Sequence, residues 1–107
     1  MKVTAWNNGG HLESGAGYGL KISIADRDRH FKPGWRTVIL EMEGYPKTVE
    51  VNIRKKSFWE GICREMISKD IGCWLLKNEL VPWQKGRPPK LHLIPKSGNK
   101  FFLELPK

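Results

Sequence analysis

The chain has 107 residues, 39% of them hydrophobic and five of them Trp, enough for one domain with one core. A formal charge of +8 favours acidic partners, and no apolar run nears the roughly 18 residues of a membrane span. The opening residues lack the apolar stretch of a secretory signal, so a soluble, cytoplasmic protein without membrane association is expected.

Residues 2–6 alternate weakly and predict a short first strand. Asn7, Asn8, Gly9 and Gly10 form a turn signal, and Gly15, Gly17 and Gly19 allow positive φ and close approach to another surface. The Gly15-x-Gly17-x-Gly19 spacing is not a dinucleotide-binding fingerprint. No buried apolar strand precedes it, and a strand follows where a helix should open. Leu20, Ile22 and Ile24 alternate with Lys21 and Ser23 as a half-buried strand. Residues 26–31 then read as a short helical turn, acids first and bases last as the helix dipole favours, ended by Lys32-Pro33-Gly34. Residues 38–43 and 48–53 are the alternating strands of a hairpin across Gly44-Tyr45-Pro46-Lys47.

Next comes Arg54-Lys55-Lys56-Ser57-Phe58-Trp59. Three adjacent cations repel one another and gain little in folding, whereas beside a polyanion each displaces condensed counterions. Ser57 with Glu60 forms a capping box for a helix predicted over 57–70, with Phe58, Ile62, Met66 and Ile67 on one face. A second helix is predicted over 71–80, Trp74, Leu75 and Leu76 supplying its apolar bulk, before Pro82. After the rigid Gly86-Arg87-Pro88-Pro89 loop, residues 91–94 and 101–105 predict a closing hairpin around Ser97-Gly98-Asn99.

From residue 81 to 107, Lys85, Arg87, Lys90, Lys96, Lys100 and Lys107 stand against Glu104 alone, a local net of +5 that points to one basic face. Cys63 and Cys73 have a spacing that suits neither a zinc knuckle nor a redox pair, so both are expected to be reduced, buried thiols. Trp6, Trp35, Trp74 and Trp83 are assigned to the core or its rim by their large apolar area.

Residues 20–31, an apolar strand running into a charged helix closed by Phe31, resemble the start of the DNA-binding pseudobarrel domains. These domains are shared by a large class of plant transcription factors and by the target-recognition domains of some type II restriction endonucleases. Residues 38–59 resemble that family's central hairpin with its aromatic-containing loop, and residues 71–80 its helix with a Trp, a hydrophobic pair and Asn-x-Leu. The resemblance covers nearly the whole chain. It implies a single α+β domain, a mixed, partly open seven-stranded pseudobarrel with short helices, which binds double-stranded DNA in restriction or regulation.

In the family two loops at one end of the barrel act as arms in the major groove. The resemblance places the first arm on residues 7–18, with Asn7, Asn8, His11, Ser14 and Tyr18 as polar contacts. The second falls on Arg54, Lys55, Lys56, Ser57 and Trp59. The charge of the last quarter of the chain adds Lys85, Arg87 and Lys90 as secondary phosphate contacts. The side-chain chemistry agrees, since Arg and Lys pair with guanine or phosphate and Asn pairs bidentately with adenine.

No catalytic constellation competes. Glu41, Glu43 and Glu50 alternate along strands but are not followed by the Lys of a restriction-type metal site. Asp26 and Asp28 converge poorly on one ion, and His30 and His92 lack a metal-ligand motif. Ser14, His11 and Glu13 lie in a glycine-rich loop that would hardly hold a nucleophile and base rigid. The expectation is a binding module without catalysis, metal or cofactor. Two other classes remain open: a protein-interaction barrel whose basic face meets an acidic protein, and a small metal-dependent nuclease or toxin.

Overall fold

The alternation read from the sequence builds most of the sheet in the computed structural model, which describes residues 1–10, 12–60 and 64–106. Val3 and Ala5 of β1 (Lys2–Asn7) and Leu20 of β2 (Tyr18–Lys21) point inward, while Lys2 and Lys21 point out. The inward-facing residues of β3 (Thr37–Met42) and β4 (Val49–Asn52) are Val38, Leu40, Met42, Val49 and Val51. Strands β5 (Glu65–Ile67), β6 (Lys90–Pro95) and β7 (Lys100–Glu104) add Met66, Leu91, Leu93, Phe101 and Leu103. Three short helices complete the domain: α1 (Ile24–His30), α2 (Lys56–Trp59) and α3 (Lys69–Lys77).

The sheet order is β4-β3-β7-β6-β1-β2-β5, antiparallel throughout except for the parallel β3–β7 pair. The outer strands β4 and β5 come into contact, so the sheet curls into a nearly closed barrel of mixed type. Each end of its core is plugged by aromatics. Trp74 of α3 is fully buried, and its indole N–H donates to the Glu43 carbonyl at 2.8 Å, which satisfies its one polar atom. At the other end Phe31 stacks on Phe101 with centroids 4.8 Å apart and meets Phe58 edge-on at 5.9 Å. No helix among the described residues is long and apolar enough to cross a membrane.

Every strand runs opposite to the one before it in the sequence, so successive connections alternate between the two barrel ends. One end carries residues 8–17, 43–48 and 68–89, with α3. The other carries residues 22–36 with α1, residues 53–64 with α2, and the tight 96–99 turn.

The predicted 57–70 helix is corrected. Among the described residues only one turn forms, at α2, with Lys55 rather than Ser57 at its N-cap and no side-chain capping bond. Residues 65–67 are instead a strand, with Gly19 opposite Ile67 and Leu20 opposite Met66. A helix there would leave the outer backbone groups of β2 without partners beside a fully buried Leu20, and the strand removes that cost. Ile24 is likewise not a strand residue. Ser23 caps α1, its Oγ accepting from the Asp26 N–H at 3.1 Å, so Ile24 opens the helix and is 47% exposed.

A polar clamp ties the β3–β4 turn to α3. The Tyr45 hydroxyl donates to Asp70 Oδ1 at 2.7 Å, and Lys47 Nζ lies 3.4 Å from the same oxygen. The Tyr45 bond chiefly holds the Asp70 carboxyl below its usual range, and the same bond pushes the Tyr45 hydroxyl up to about 12. A carboxyl depressed in the folded state stabilises above its unfolded pKa, and that stability is lost as pH falls through the lower folded value. Tyr45→Phe is therefore expected to cost about 1 kcal/mol at neutral pH and to weaken the loss of stability in acid. Urea denaturation at pH 7 and at pH 3 checks both; equal curves for the two proteins would show the clamp to be idle.

Candidate nucleic-acid interface

The charge is polarised between the two ends. Residues 22–36, 53–64 and 96–99 hold nine Lys or Arg against three acids, a net of +6. The opposite end, residues 8–17, 43–48, 68–89 and 105–106, holds five against four, a net of +1. The predicted basic face over residues 81–107 is accordingly split. Strand β6 carries the chain from one end to the other, leaving Lys85 and Arg87 in the connection that also holds Glu79, and Lys96 and Lys100 at the cationic end. Arg29, Lys32, Arg36, Arg54, Lys96 and Lys100 form no ion pair among the described residues. Like charges held together without counter-charges oppose folding, and they become favourable only beside an anion.

The 53–64 connection is built to project its cations. Asn52 Oδ1 accepts from the Arg54 N–H at 2.7 Å, and the Trp59 indole N–H donates to the Ile53 carbonyl at 2.9 Å. Beneath the turn, Arg27 is buried to 7% exposure. Its Nη1 donates to the Phe58 carbonyl at 2.9 Å, its fork holds Asp28 Oδ1, and its guanidinium lies 5.8 Å from the Trp59 ring centre. Phe58 is fully buried, while Arg54 and Lys56 are exposed and Lys55, Ser57 and Trp59 half-buried. Lys56 reaches Glu60 only at 3.6 Å with both side chains exposed, a pair worth little. A turn already fixed by Arg27, Trp59 and Asn52 loses less entropy on binding than a floppy one.

The 8–17 connection sits at the other end and contains no Lys or Arg. Asn7 is spent on the turn, its Oδ1 accepting from the Gly9 N–H at 3.1 Å and its Nδ2 donating to the Gly10 carbonyl at 3.2 Å. Asn8 and Ser14 are exposed, each with an oxygen turned toward a nearby backbone N–H, Gly10 at 3.4 Å and Ala16 at 3.3 Å. His11 lies outside the described residues, as does Cys63. Tyr18 is fully buried, its ring 6.0 Å from that of Trp83, and it is corrected from a contact residue to a core residue. Burial raises its hydroxyl pKa, against a hydrogen bond from Asn7 that lowers it. Cys73 is a free, half-buried thiol with Sγ 3.5 Å from the Ser14 carbonyl.

The expectation of two loops at one end of the barrel is corrected as well. Because β2 and β5 are antiparallel, the 8–17 connection enters the start of β2, while the 53–64 connection enters β5 opposite the end of β2. The two therefore bracket one ladder, which runs from Tyr18 and Ser68 to Ile22 and Arg64. Four residue steps put their roots about 14 Å apart. The outward-facing Lys21 lies between them.

Sequence reasoning missed Arg29, Lys32 and Arg36, which with Lys96 join the predicted Arg54, Lys55 and Lys56 at the cationic end. Their signal is the alternation of connections between ends, which for Lys96 requires β5 to be counted. Comparison of the chain with protein-family models, with curated proteins and with solved structures returned no match.

Proposed function

We propose that the protein is a double-stranded DNA-binding module without catalysis of its own. The observation that carries this reading is the cationic end, with a net of +6 and six Lys or Arg side chains that pair with no acid among the described residues. The turn over residues 53–60, held by Arg27, Asn52 and Trp59, supplies phosphate contacts together with Arg29, Lys32, Arg36 and Lys96. The 8–17 connection, polar and uncharged apart from Glu13, suits base contacts through Asn8 and Ser14. Roots about 14 Å apart are compatible with a major groove about 12 Å wide.

The test is a salt titration of duplex binding, run beside single-stranded DNA, RNA and an acidic protein. Affinity for duplex is expected to fall tenfold or more between 50 and 200 mM salt, as when several phosphates are neutralised. Duplex binding that is absent at 50 mM or flat with salt overturns the proposal, and preference for the acidic protein assigns the basic end to protein interaction. Selection from a random duplex pool should then yield a shared site. Asn8→Ala is expected to change the selected sequence while leaving the salt dependence as it was.

A further inference from the structure

Between the two connections, on the outer face of the β1–β2 pair, lies an open groove of about 370 Å³ lined by Lys2, Thr4, Lys21, Ile22, Ser23, Asp26 and Arg64. Thr4 stands opposite Lys21 in the ladder, so Lys2 and Lys21 are diagonal neighbours on one face. Diagonal neighbours are about 7–8 Å apart, near enough for two flexible ammonium groups to close on one anion. Both lysines are exposed, and neither has an ion pair among the described residues.

The third cation is positioned by the backbone. Arg64 Nε donates to the Ile22 carbonyl at 2.9 Å, which holds the guanidinium at the groove wall. Against three cations the groove has one acid. Asp26 Oδ2 accepts from the Ser23 hydroxyl at 3.1 Å, and the lining has a formal net of +2 with this acid counted. Glu65, the register partner of Lys21, is buried and does not line the groove. The groove is continuous with the cationic end, because Arg64 is the last residue of the 53–64 connection.

We infer that this groove seats a backbone phosphate of the duplex between the two connections, held by Lys2, Lys21 and Arg64. The inference rests on the DNA-binding reading above and adds a contact that this reading does not need. A phosphate held here takes no part in base readout; it fixes the duplex against the β1–β2 face.

The test is the double variant Lys2→Ala with Lys21→Ala, assayed with the full chain on duplex DNA across a salt series. Each lost phosphate contact removes about one from the salt slope, so the slope should shrink by about two. The selected sequence should stay the same. An unchanged slope in the double variant, with the wild type still binding duplex, overturns the groove and leaves the DNA-binding reading intact. A wild type that binds no duplex overturns both. Inorganic phosphate followed by NMR identifies the source of the anion. Shifts at Lys2, Lys21 and Arg64 that saturate at low millimolar phosphate and persist when duplex is added would make the site one for free phosphate and also overturn the inference.

Discussion

Replacing Arg54, Lys55 and Lys56 together by alanine is expected to lower duplex affinity by roughly a hundredfold, at about 1 kcal/mol per lost contact and 1.4 kcal/mol per factor of ten. The same variant should reduce the salt slope by about three. Its thermal stability should change little, because Arg54 and Lys56 are exposed and the turn is fixed by other groups, the Trp59 indole on Ile53 and Arg27 on Phe58. The matched control replaces Lys85, Arg87 and Lys90, the first two in the 68–89 connection at the opposite end of the barrel and the third at the start of β6. That triple variant is expected to lose less than about tenfold, since the end that carries Lys85 and Arg87 has a net of only +1 and Lys90, opposite Thr4 in the ladder, is the one of the three near the β1–β2 face. If binding survives the first replacement and is lost with the second, the contact surface is the proline-rich connection and the assignment of the cationic end is wrong.

The comparison of these triplets turns on a strand of three residues. The β3–β4 hairpin was legible because Val38, Leu40 and Met42 face Val49, Val51 and Ile53 through local alternation, and all six are buried. Strand β5 was not. Ser57 and Glu60 satisfy a capping box, and Phe58, Ile62 and Met66 repeat at helical spacing, so every local signal favours a helix. Pairing with β2, more than forty residues away in the chain, decides the matter, and no local pattern records it.

Omitting one strand changes the parity of every connection after it. Read with six strands, the 53–64 turn and the 96–99 turn fall at opposite ends, and Lys85 and Arg87 join Arg54 in place of Lys96. With β5 in place the two turns meet, Lys96 joins Arg54 and Lys56, and Lys85 and Arg87 move to the end whose charge is nearly balanced. The cationic end was thus encoded in the sequence all along, but behind a non-local pairing. The parallel β3–β7 contact is similarly invisible to periodicity, although the closing hairpin was read correctly. Tyr18 shows the converse: a polar residue beside a glycine-rich turn has contact chemistry, yet its ring fills the space beside Trp83.

The largest expected effect on stability falls at Gly72. This residue lies inside α3, where alanine would ordinarily gain about 1 kcal/mol of helix propensity. Here a Cβ at position 72 would stand 1.9 Å from the Gly15 carbonyl oxygen, and one at Gly15 would stand 2.8 Å from the Cys73 nitrogen and the Lys69 oxygen. The 8–17 connection is seated backbone against backbone on α3, with no flexible side chain that could give way. Gly72→Ala must therefore push the connection off the helix or shift the helix itself. Overpacking of this kind costs about 1–3 kcal/mol, which outweighs the propensity gain. In a domain of about 100 residues a net loss of 1 kcal/mol lowers Tm by about 4–8 °C. Gly34→Ala is the control, since a Cβ there meets nothing within 4 Å, and its stability should change by less than about 0.5 kcal/mol. The binding readout separates the two ends of the barrel once more. A displaced 8–17 connection should broaden the sequences selected by Gly72→Ala, while the salt slope, set by the Arg54, Lys55 and Lys56 end, stays near wild type. A Gly72→Ala protein as stable as wild type, with an unchanged selected sequence, would mean that the connection is not held by α3.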